Sequence, residues 1–216
     1  MLSRFDYSIC LVKLAMIKAI TIDLDGVYFI NGKHNFYKNL ANLGVEESEA
    51  SRVFAKSEEM NGLYKTGKWS DEEFWSWAKK EWKLEISPEQ IIDLMIKGYE
   101  LDEGVAEMVR KIRTAGYKTL ICSNNFPARI NGLEKKYGFL KDFDAWALSY
   151  EVGVTKPDKK IFEELVKKSG CRAEEIIYSD DHEEKMEGAK KLGITTFVYQ
   201  NLEQFLGEIE RMGVRW

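Results

Sequence analysis

The amino-acid sequence predicts an α/β fold with a parallel sheet as its core and a small α-helical domain inserted after the first strand. The segment 17–24 is apolar and β-branched and ends at Asp25-Gly26, which is typical of a buried strand that runs into a loop. From residue 99 onward, short apolar segments alternate with helical patterns, and this alternation favours crossover units in a parallel sheet. The stretch 32–98 contains no convincing buried strand.

The alternating part of the chain divides at prolines and glycines, which open and close helices. Three helices after residue 126 are bounded in this way: one by Pro127 and Gly138, one by Pro157 and Gly170, and one that ends at Gly193. The predicted strands are 117–122, 145–149, 175–179 and 195–199, and the other predicted helices are 103–115 and 201–212.

The inserted stretch is predicted to form several helices. Ser70 with Glu73, and Ser87 with Gln90, fit the capping box that marks a helix start. Four of the six tryptophans lie here, and we expect them to form the core of this stretch or its contact with the sheet rather than a ligand cage. They are Trp69, Trp75, Trp77 and Trp82. The predicted division is a discontinuous core of residues 17–31 and 99–216, a helical insert of residues 32–98, and an N-terminal extension of residues 1–16.

Composition excludes several classes of function. Hydrophobic residues make up 44% and charged residues 31% of the 216 residues, which is ordinary for a globular protein. The net charge of −4 gives no reason to expect nucleic acid or a membrane as a partner, and no apolar run approaches the ~18 residues of a membrane span. The three cysteines are widely spaced, so we expect reduced thiols. Asp6 and Lys13 interrupt the N-terminal apolar run, which argues against a signal peptide and favours the cytoplasm. The oligomeric state stays open.

Polar side chains stand where the predicted strands end. Because ligands of open parallel sheets bind beyond the carboxyl ends of the strands, these residues are expected to converge. Four carboxylates packed together repel one another unless a cation neutralises them, and oxygen ligands suit Mg²⁺. A lysine and a hydroxyl nearby could hold the oxygens of an anionic substrate, and the whole set suits phosphoryl transfer. The residues are Asp23, Asp25, Ser123, Asn124, Lys156, Asp180 and Asp181.

Four short motifs follow one another in this set. They are Asp23-Leu24-Asp25-Gly26-Val27, Ser123 after the segment YKTLIC, Lys156-Pro157-Asp158, and Asp180-Asp181 with the later Gly188-Ala189. In this order they resemble the motifs of the haloacid dehalogenase superfamily, and the first has the form found in its phosphatases. The position of the insert is similar to that of the helical cap of subfamily I. The resemblance implies a Rossmann-like core, with Mg²⁺ as cofactor and a small phosphorylated metabolite as substrate.

The resemblance also implies a role for each residue. Asp23 would be the nucleophile that forms an aspartyl-phosphate. Asp25 would protonate the leaving oxygen and then deprotonate the water that hydrolyses the intermediate. Ser123 and Lys156 would bind phosphoryl oxygens, and Asn124 would contribute further contacts.

The same resemblance implies the ligands of the metal. Mg²⁺ would be held by Asp23, by the backbone carbonyl of Asp25 and by Asp181, with Asp180 bound directly or through water. Gly26 would let the chain turn tightly beside the phosphate. The sequence departs from many relatives at Lys185, where they carry an Asp or Asn, so Lys185 is expected to be a surface residue or to reach a substrate anion.

Several functions share this set of residues. A phosphatase is favoured over a dehalogenase because a dehalogenase does not need a second acid at Asp25. A phosphonatase would need a cap lysine, and none is marked by its context. A sugar phosphomutase, or an inert binding protein on the same fold, remains an alternative. Residues that recognise the leaving group are expected in 28–36 and 56–69, with His34, Tyr64 and Lys65 as candidates.

Overall fold

The computed structural model describes residues 16–216. Within them, five parallel strands form one sheet in the order β5-β4-β1-β6-β7, as the sequence predicts for its core. Strand β1 lies at the centre and pairs in parallel with β4 on one side and β6 on the other. The strands are β1 (Ala19–Ile22), β4 (Lys118–Ser123), β5 (Ala145–Leu148), β6 (Ile176–Asp180) and β7 (Thr195–Val198).

A short antiparallel pair joins the two ends of the helical insert. Strand β2 (Phe29–Ile30) pairs with β3 (Glu100–Leu101), so the chain leaves the core and returns to it at one place. The regular elements between these strands are all helical, as predicted. They are α1 (Gly32–Ala41), α2 (Glu47–Ser51), two π-helical segments (Arg52–Lys56 and Glu59–Tyr64), α3 (Asp71–Glu81) and α4 (Pro88–Gly98).

The remaining helices connect the strands of the sheet. Their order alternates with the strands, which agrees with the predicted crossover units. They are α5 (Glu103–Thr114), α6 (Pro127–Tyr137), α7 (Ser149–Val152), α8 (Lys159–Ser169), α9 (Glu187–Leu192) and α10 (Leu202–Arg211), with 3-10 turns at Phe139–Asp142, Ala173–Glu175 and Glu183–Met186.

Of the four helix starts that a capping box or a proline predicts, three are confirmed. Both capping boxes form, one at Ser70 and one at Ser87, and Pro127 opens α6. The start predicted at Pro157 is wrong, because α8 begins at Lys159. The side chain of Asp158 accepts a hydrogen bond from the backbone of Lys160, which satisfies a helix-end donor and sets the first turn there.

Aromatic side chains fill the helical insert and its contact with the sheet. Trp75 is fully buried and packs against Phe36 and Phe54, and its ring also approaches Phe126, which follows β4. Trp82 is also buried, while two more tryptophans are partly buried against the same core. The tryptophans therefore build the core, as predicted.

The division into separate domains stays a prediction, and the N-terminal extension lies outside the described residues except for Met16.

Gly188 marks a close approach between α9 and the start of α8. A Cβ atom there would lie 2.3 Å from the carbonyl oxygen of Pro157 and 3.0 Å from the Cα atom of Lys159, and neither backbone atom can move freely. We expect Gly188→Ala to lower the free energy of unfolding by about 1–3 kcal/mol in urea titrations, as overpacking does. The matched change Gly207→Ala lies inside α10 with open space around it. It should raise stability by about 0.5–1 kcal/mol because alanine favours helix, and equal effects at both sites would contradict the predicted clash.

Among residues 16–216, no helix combines the length and the apolar character needed to cross a membrane.

Candidate active site

Three neighbouring strands deliver polar side chains to one edge of the sheet. Asp23 follows β1 directly, Ser123 ends β4, and Asp180 ends β6. Since β4, β1 and β6 are adjacent and parallel, their carboxyl ends lie side by side. Lys156 enters the same place from the loop before α8. The structure therefore brings together the residues that the sequence placed at the strand ends.

The carboxylate of Asp23 is held on both of its oxygens. Ser123 Oγ donates to Oδ1 at 2.7 Å, and the backbone amide of Leu24 donates to the same oxygen at 2.8 Å. Oδ2 lies 3.1 Å from Lys156 Nζ. Only 3% of the Asp23 surface is exposed, so these contacts fix the orientation of the carboxylate at the base of the site.

The ammonium group of Lys156 is completely buried among oxygens. It donates to Asp180 Oδ2 at 2.6 Å, to the Tyr178 hydroxyl at 2.9 Å and to the carbonyl of Cys122 at 3.0 Å, besides its pairing with Asp23. Burial alone would lower the pKa of Lys156, but the negative charges of Asp23 and Asp180 outweigh it and raise this pKa above its usual value. Lys156 thus pairs with two buried carboxylates at once.

Asp180 and Asp181 occupy different environments although they are neighbours. Asp180 is fully buried, and although burial alone would raise its pKa, the charges of Lys156 and Lys185 hold this pKa below the usual value. Asp181 is less deeply buried, and desolvation raises its pKa. Asp180 is therefore enclosed between Lys156 and Lys185, whereas Asp181 reaches the cavity, where about a third of its side chain (33%) is exposed.

Lys185 pairs with these acids rather than standing free at the surface. Its Nζ lies 3.5 Å from Asp181 Oδ1 and 3.6 Å from Asp180 Oδ1. The side chain is partly buried and also lines the main cavity. Of the two expectations for Lys185, an ordinary surface position is therefore wrong, and contact with a substrate anion stays a prediction.

Three carboxylates form a group that matches the donor set of a hard cation. Asp23, Asp180 and Asp181 each offer one oxygen, and these oxygens all lie within 4.8 Å of one another. Carboxylate oxygens are the donors that Mg²⁺ prefers. Gly26 approaches this group closely, because a Cβ atom there would lie 2.9 Å from Asp181 Oδ2, and its φ of +85° also favours glycine.

Asp25 points into the site from the turn after β1, with 41% of its side chain exposed. Its Oδ2 accepts a hydrogen bond from Arg129 Nη1 at 2.9 Å. The guanidinium group of Arg129 is buried and also donates to Asn125 Oδ1 and to the Tyr99 hydroxyl, each at 2.7 Å. This network holds the second acid in place at the cavity.

Asn124 acts on the loop that carries Lys156. Its Oδ1 accepts a hydrogen bond from the Lys156 backbone amide at 2.7 Å, and its Nδ2 donates to the Lys156 carbonyl at 3.3 Å. The side chain therefore positions the lysine, and its predicted contact with a phosphate stays a prediction.

A cavity of about 470 Å³ opens above these residues, between the sheet edge and the helical insert. Asp25, Gly26 and Asp181 line it from the sheet side. His34 and Lys65 line it from the insert, as expected for residues that face a ligand. Tyr64 was expected there too, but it does not line the cavity. Its ring is fully buried, and its hydroxyl donates to Asp71.

Comparison with known proteins identifies the family of this chain. A sequence model described as haloacid dehalogenase-like hydrolase matches residues 17–193, which include all four motifs. The chain belongs to the haloacid dehalogenase-like hydrolase family. The chain is also 30% identical over 211 residues to an uncharacterised protein of Dictyostelium discoideum, a match that covers 85% of this chain and 91% of that protein.

Solved structures of haloacid dehalogenase-like hydrolases share the fold. A family member from Bacteroides thetaiotaomicron, in complex with magnesium and inorganic phosphate, is 22% identical, with a TM-score of 0.74 over 85% of this chain and 94% of that chain. The L-2-haloacid dehalogenase of Xanthobacter autotrophicus is 21% identical, with a TM-score of 0.64 over 91% of this chain and 83% of that chain. At these identities the likeness concerns the fold alone.

Two residues of this family member's site were missed by sequence reasoning. Arg129 lies in the first turn of α6, where a cation opposes the helix dipole, and that unfavourable position was the available signal. Tyr178 lies two residues before Asp180 in β6, so strand alternation places both on one face. For neither residue did the sequence distance to the acids show which acid it would contact.

Proposed function

We propose that this chain is a Mg²⁺-dependent phosphatase that hydrolyses a small phosphate monoester through a phosphoryl group carried on Asp23. The observation that carries the proposal is the pair of acids after β1. Asp23 is fixed by Ser123 and Lys156, and Asp25 stands next to it on the cavity side. A dehalogenase would not need the second acid. The complex of the Bacteroides relative with magnesium and inorganic phosphate supports the same chemistry.

The donor set suits the magnesium ion that the proposal requires. Asp23, Asp181 and the backbone carbonyl of Asp25 would hold it, with Asp180 acting through water because its own oxygens are engaged by Lys156, Tyr178 and the His182 amide. A bound Mg²⁺ would supply positive charge beside the phosphoryl oxygens, which lowers the cost of bringing an anionic substrate to Asp23.

In the first half of the reaction, the Asp23 carboxylate attacks phosphorus, and the bond from phosphorus to the leaving oxygen breaks. Asp25 gives its proton to that oxygen, so the product leaves as a neutral alcohol. Ser123 and Lys156 compensate the charge on the phosphoryl oxygens. Arg129 keeps the Asp25 carboxyl at the correct position through its hydrogen bond of 2.9 Å.

In the second half, Asp25 accepts a proton from water, and the water oxygen attacks phosphorus. The bond between phosphorus and the Asp23 oxygen breaks, inorganic phosphate is released, and Asp23 returns as a carboxylate. The same two acids thus serve both steps, and each ends the cycle in its starting protonation state.

The insert is proposed to act as the helical cap of subfamily I. Its residues form one wall of the cavity, so it would select the leaving group and exclude bulk water during catalysis. A cavity of about 470 Å³ is of the size that holds a small metabolite rather than a folded macromolecule. A location in the cytoplasm belongs to the same proposal, since Cys122 and Cys171 are both free thiols.

The direct test measures phosphate release from p-nitrophenyl phosphate and a panel of phosphorylated metabolites, with Mg²⁺ and with EDTA. We expect release that EDTA stops and added Mg²⁺ restores. Release of halide from a 2-haloacid, or transfer of phosphate to a sugar without free phosphate, would contradict the phosphatase and indicate the dehalogenase or the mutase. No turnover of any compound would favour an inert binding protein.

Replacing Asp25 by asparagine is expected to separate the two halves of the reaction. With p-nitrophenyl phosphate, whose leaving group departs as a stable anion, Asp23 should still be phosphorylated and one p-nitrophenolate per enzyme should appear in a burst. Steady turnover should then fall by about 100- to 10,000-fold, the usual contribution of a general acid–base. Stopped-flow absorbance measures both phases. With an alkyl phosphate, quenched-flow analysis of the released alcohol should show no burst. Unchanged steady turnover would contradict the role of Asp25.

A further inference from the structure

The wall of the cavity that belongs to the insert carries cationic side chains. Lys33 and Lys65 lie there, opposite the acids of the sheet edge. The other two cations of the cavity already have carboxylate partners, since Arg129 pairs with Asp25 at 2.9 Å and Lys185 with Asp181 at 3.5 Å. Within residues 16–216, neither Lys33 nor Lys65 forms an ion pair, so the insert presents positive charge to the cavity.

Lys65 is the more enclosed of the two. Its Nζ donates to the neutral amide oxygen of Asn61 at 3.0 Å. None of the ion pairs among residues 16–216 includes Lys65. Burial, reinforced by the charge of Arg129, lowers the pKa of Lys65 to about 8. The charges of Asp25 and Asp23 offset only part of this shift. Because neither carboxylate pairs directly with the ammonium, an anion that enters the cavity would lower the cost of burying it.

The backbone at Lys65 is fixed relative to the catalytic residues. The ring of the preceding Tyr64 stacks on Phe126 with centroids 4.7 Å apart, and Phe126 follows β4. The Tyr64 hydroxyl donates to Asp71, which in turn accepts a hydrogen bond from the Ala128 amide of α6 at 3.0 Å. Lys65 thus lies on a rigid wall of the cavity, so its ammonium group can select among ligands by the position of their anionic groups.

We propose that the substrate carries a second anionic group, a carboxylate, that pairs with Lys65 while the phosphate lies against Asp23 and Lys156. The inference rests on the proposed phosphatase function and names its substrate class as phosphorylated carboxylic acids. A single enclosed ammonium balances the single charge of a carboxylate, whereas a second phosphate would carry roughly two negative charges. Lys33 lies at the exposed rim, where solvent screens its charge.

The test uses matched ligands that differ only in the second group. Isothermal titration in the presence of Mg²⁺, with Asp23→Asn in every protein so that the esters are not hydrolysed, compares 3-phosphoglycerate with glycerol 3-phosphate. A propanediol bisphosphate serves as the doubly phosphorylated ligand. We expect the protein with Lys65 unchanged, called the wild type in this comparison, to bind the carboxylate about tenfold more tightly than its neutral counterpart, as a charge-assisted hydrogen bond does. Lys65→Met should remove this ratio, and Lys65→Arg should keep much of it.

Lys68→Met is the matched control, because Lys68 is exposed on the same segment and does not line the cavity. It should leave the ratio unchanged. Because the ratio is taken within each variant, a general loss of affinity does not imitate the effect. Equal binding of the pair by the wild type, a ratio that survives Lys65→Met, or tighter binding of the bisphosphate would each overturn the carboxylate assignment. Absence of both binding and hydrolysis for every ester would overturn the proposed function itself.

Discussion

Asp23→Asn is expected to abolish phosphate release, with kcat at least about a thousandfold below that of the wild type, the scale on which removal of a nucleophile acts. The asparagine oxygen can still accept hydrogen bonds from Ser123 and Leu24, so the local geometry should persist. What is lost is the negative charge that attacks phosphorus. Steady-state release of phosphate in the presence of Mg²⁺ measures the effect.

The control for this variant is Asp93→Asn, which removes one carboxylate from the exposed face of α4 and should leave kcat unchanged. Urea titration of Asp23→Asn should show a cooperative transition near that of the wild type, because Lys156 retains Asp180 as its partner at 2.6 Å. Wild-type kcat in a folded Asp23→Asn protein would show that another residue receives the phosphoryl group.

Lys156→Met is expected to destabilise the protein by about 3–5 kcal/mol, the cost of removing one partner from a buried ion pair. The variant leaves Asp23 buried without its cation and leaves Asp180 with Lys185 alone, whose Nζ lies 3.6 Å from Oδ1. Unpaired buried carboxylates have a raised pKa in the folded state, so the variant is least destabilised below the unfolded pKa and loses stability as the pH rises through the folded pKa. Urea titrations at acidic and neutral pH, without Mg²⁺, measure this trend.

Two further variants isolate the charge effect. Lys156→Met combined with Asp180→Asn removes one of the two carboxylates that pair with Lys156. The double variant should recover part of the lost stability at neutral pH. Lys160→Met changes an exposed lysine of α8 and should stay within about 0.5 kcal/mol of the wild type. Equal urea midpoints for Lys156→Met and Lys160→Met would contradict the view that Lys156 neutralises the site.

Much of the fold follows from local patterns. The apolar segment 17–24 has to be buried on both faces, and the polar residues after it can only emerge at the end of the strand. The same reasoning applies to Ser123 and Asp180, and the structure places Asp23, Ser123, Lys156, Asp180 and Asp181 together. Their assignment to catalysis, phosphate binding or metal binding stays a prediction that the experiments above test.

Other features depend on contacts between segments far apart in the chain. The pairing of Arg129 with Asp25 joins residues 104 positions apart, and no helix or strand period encodes it. The position of Tyr64 illustrates the same limit. Its place in the stretch 56–69 suggested the cavity, whereas its ring packs against Phe74 and Phe126 in the core. Local spacing predicts which residues lie on the same face of a helix or strand. Tertiary packing decides which other segments that face contacts.

Asp23 is expected to carry the phosphoryl group between the two halves of the reaction, and chemical trapping measures this most directly. Asp25→Asn protein, mixed with p-nitrophenyl phosphate and Mg²⁺ and quenched in acid, should retain the acyl phosphate because its hydrolysis is slow. Borohydride reduces a phosphorylated aspartate to homoserine, which peptide mass spectrometry locates. Homoserine at position 23, and its absence when substrate is omitted, is the predicted result. Homoserine at another position, or at none despite a burst of p-nitrophenolate, would contradict a phosphoryl group on Asp23.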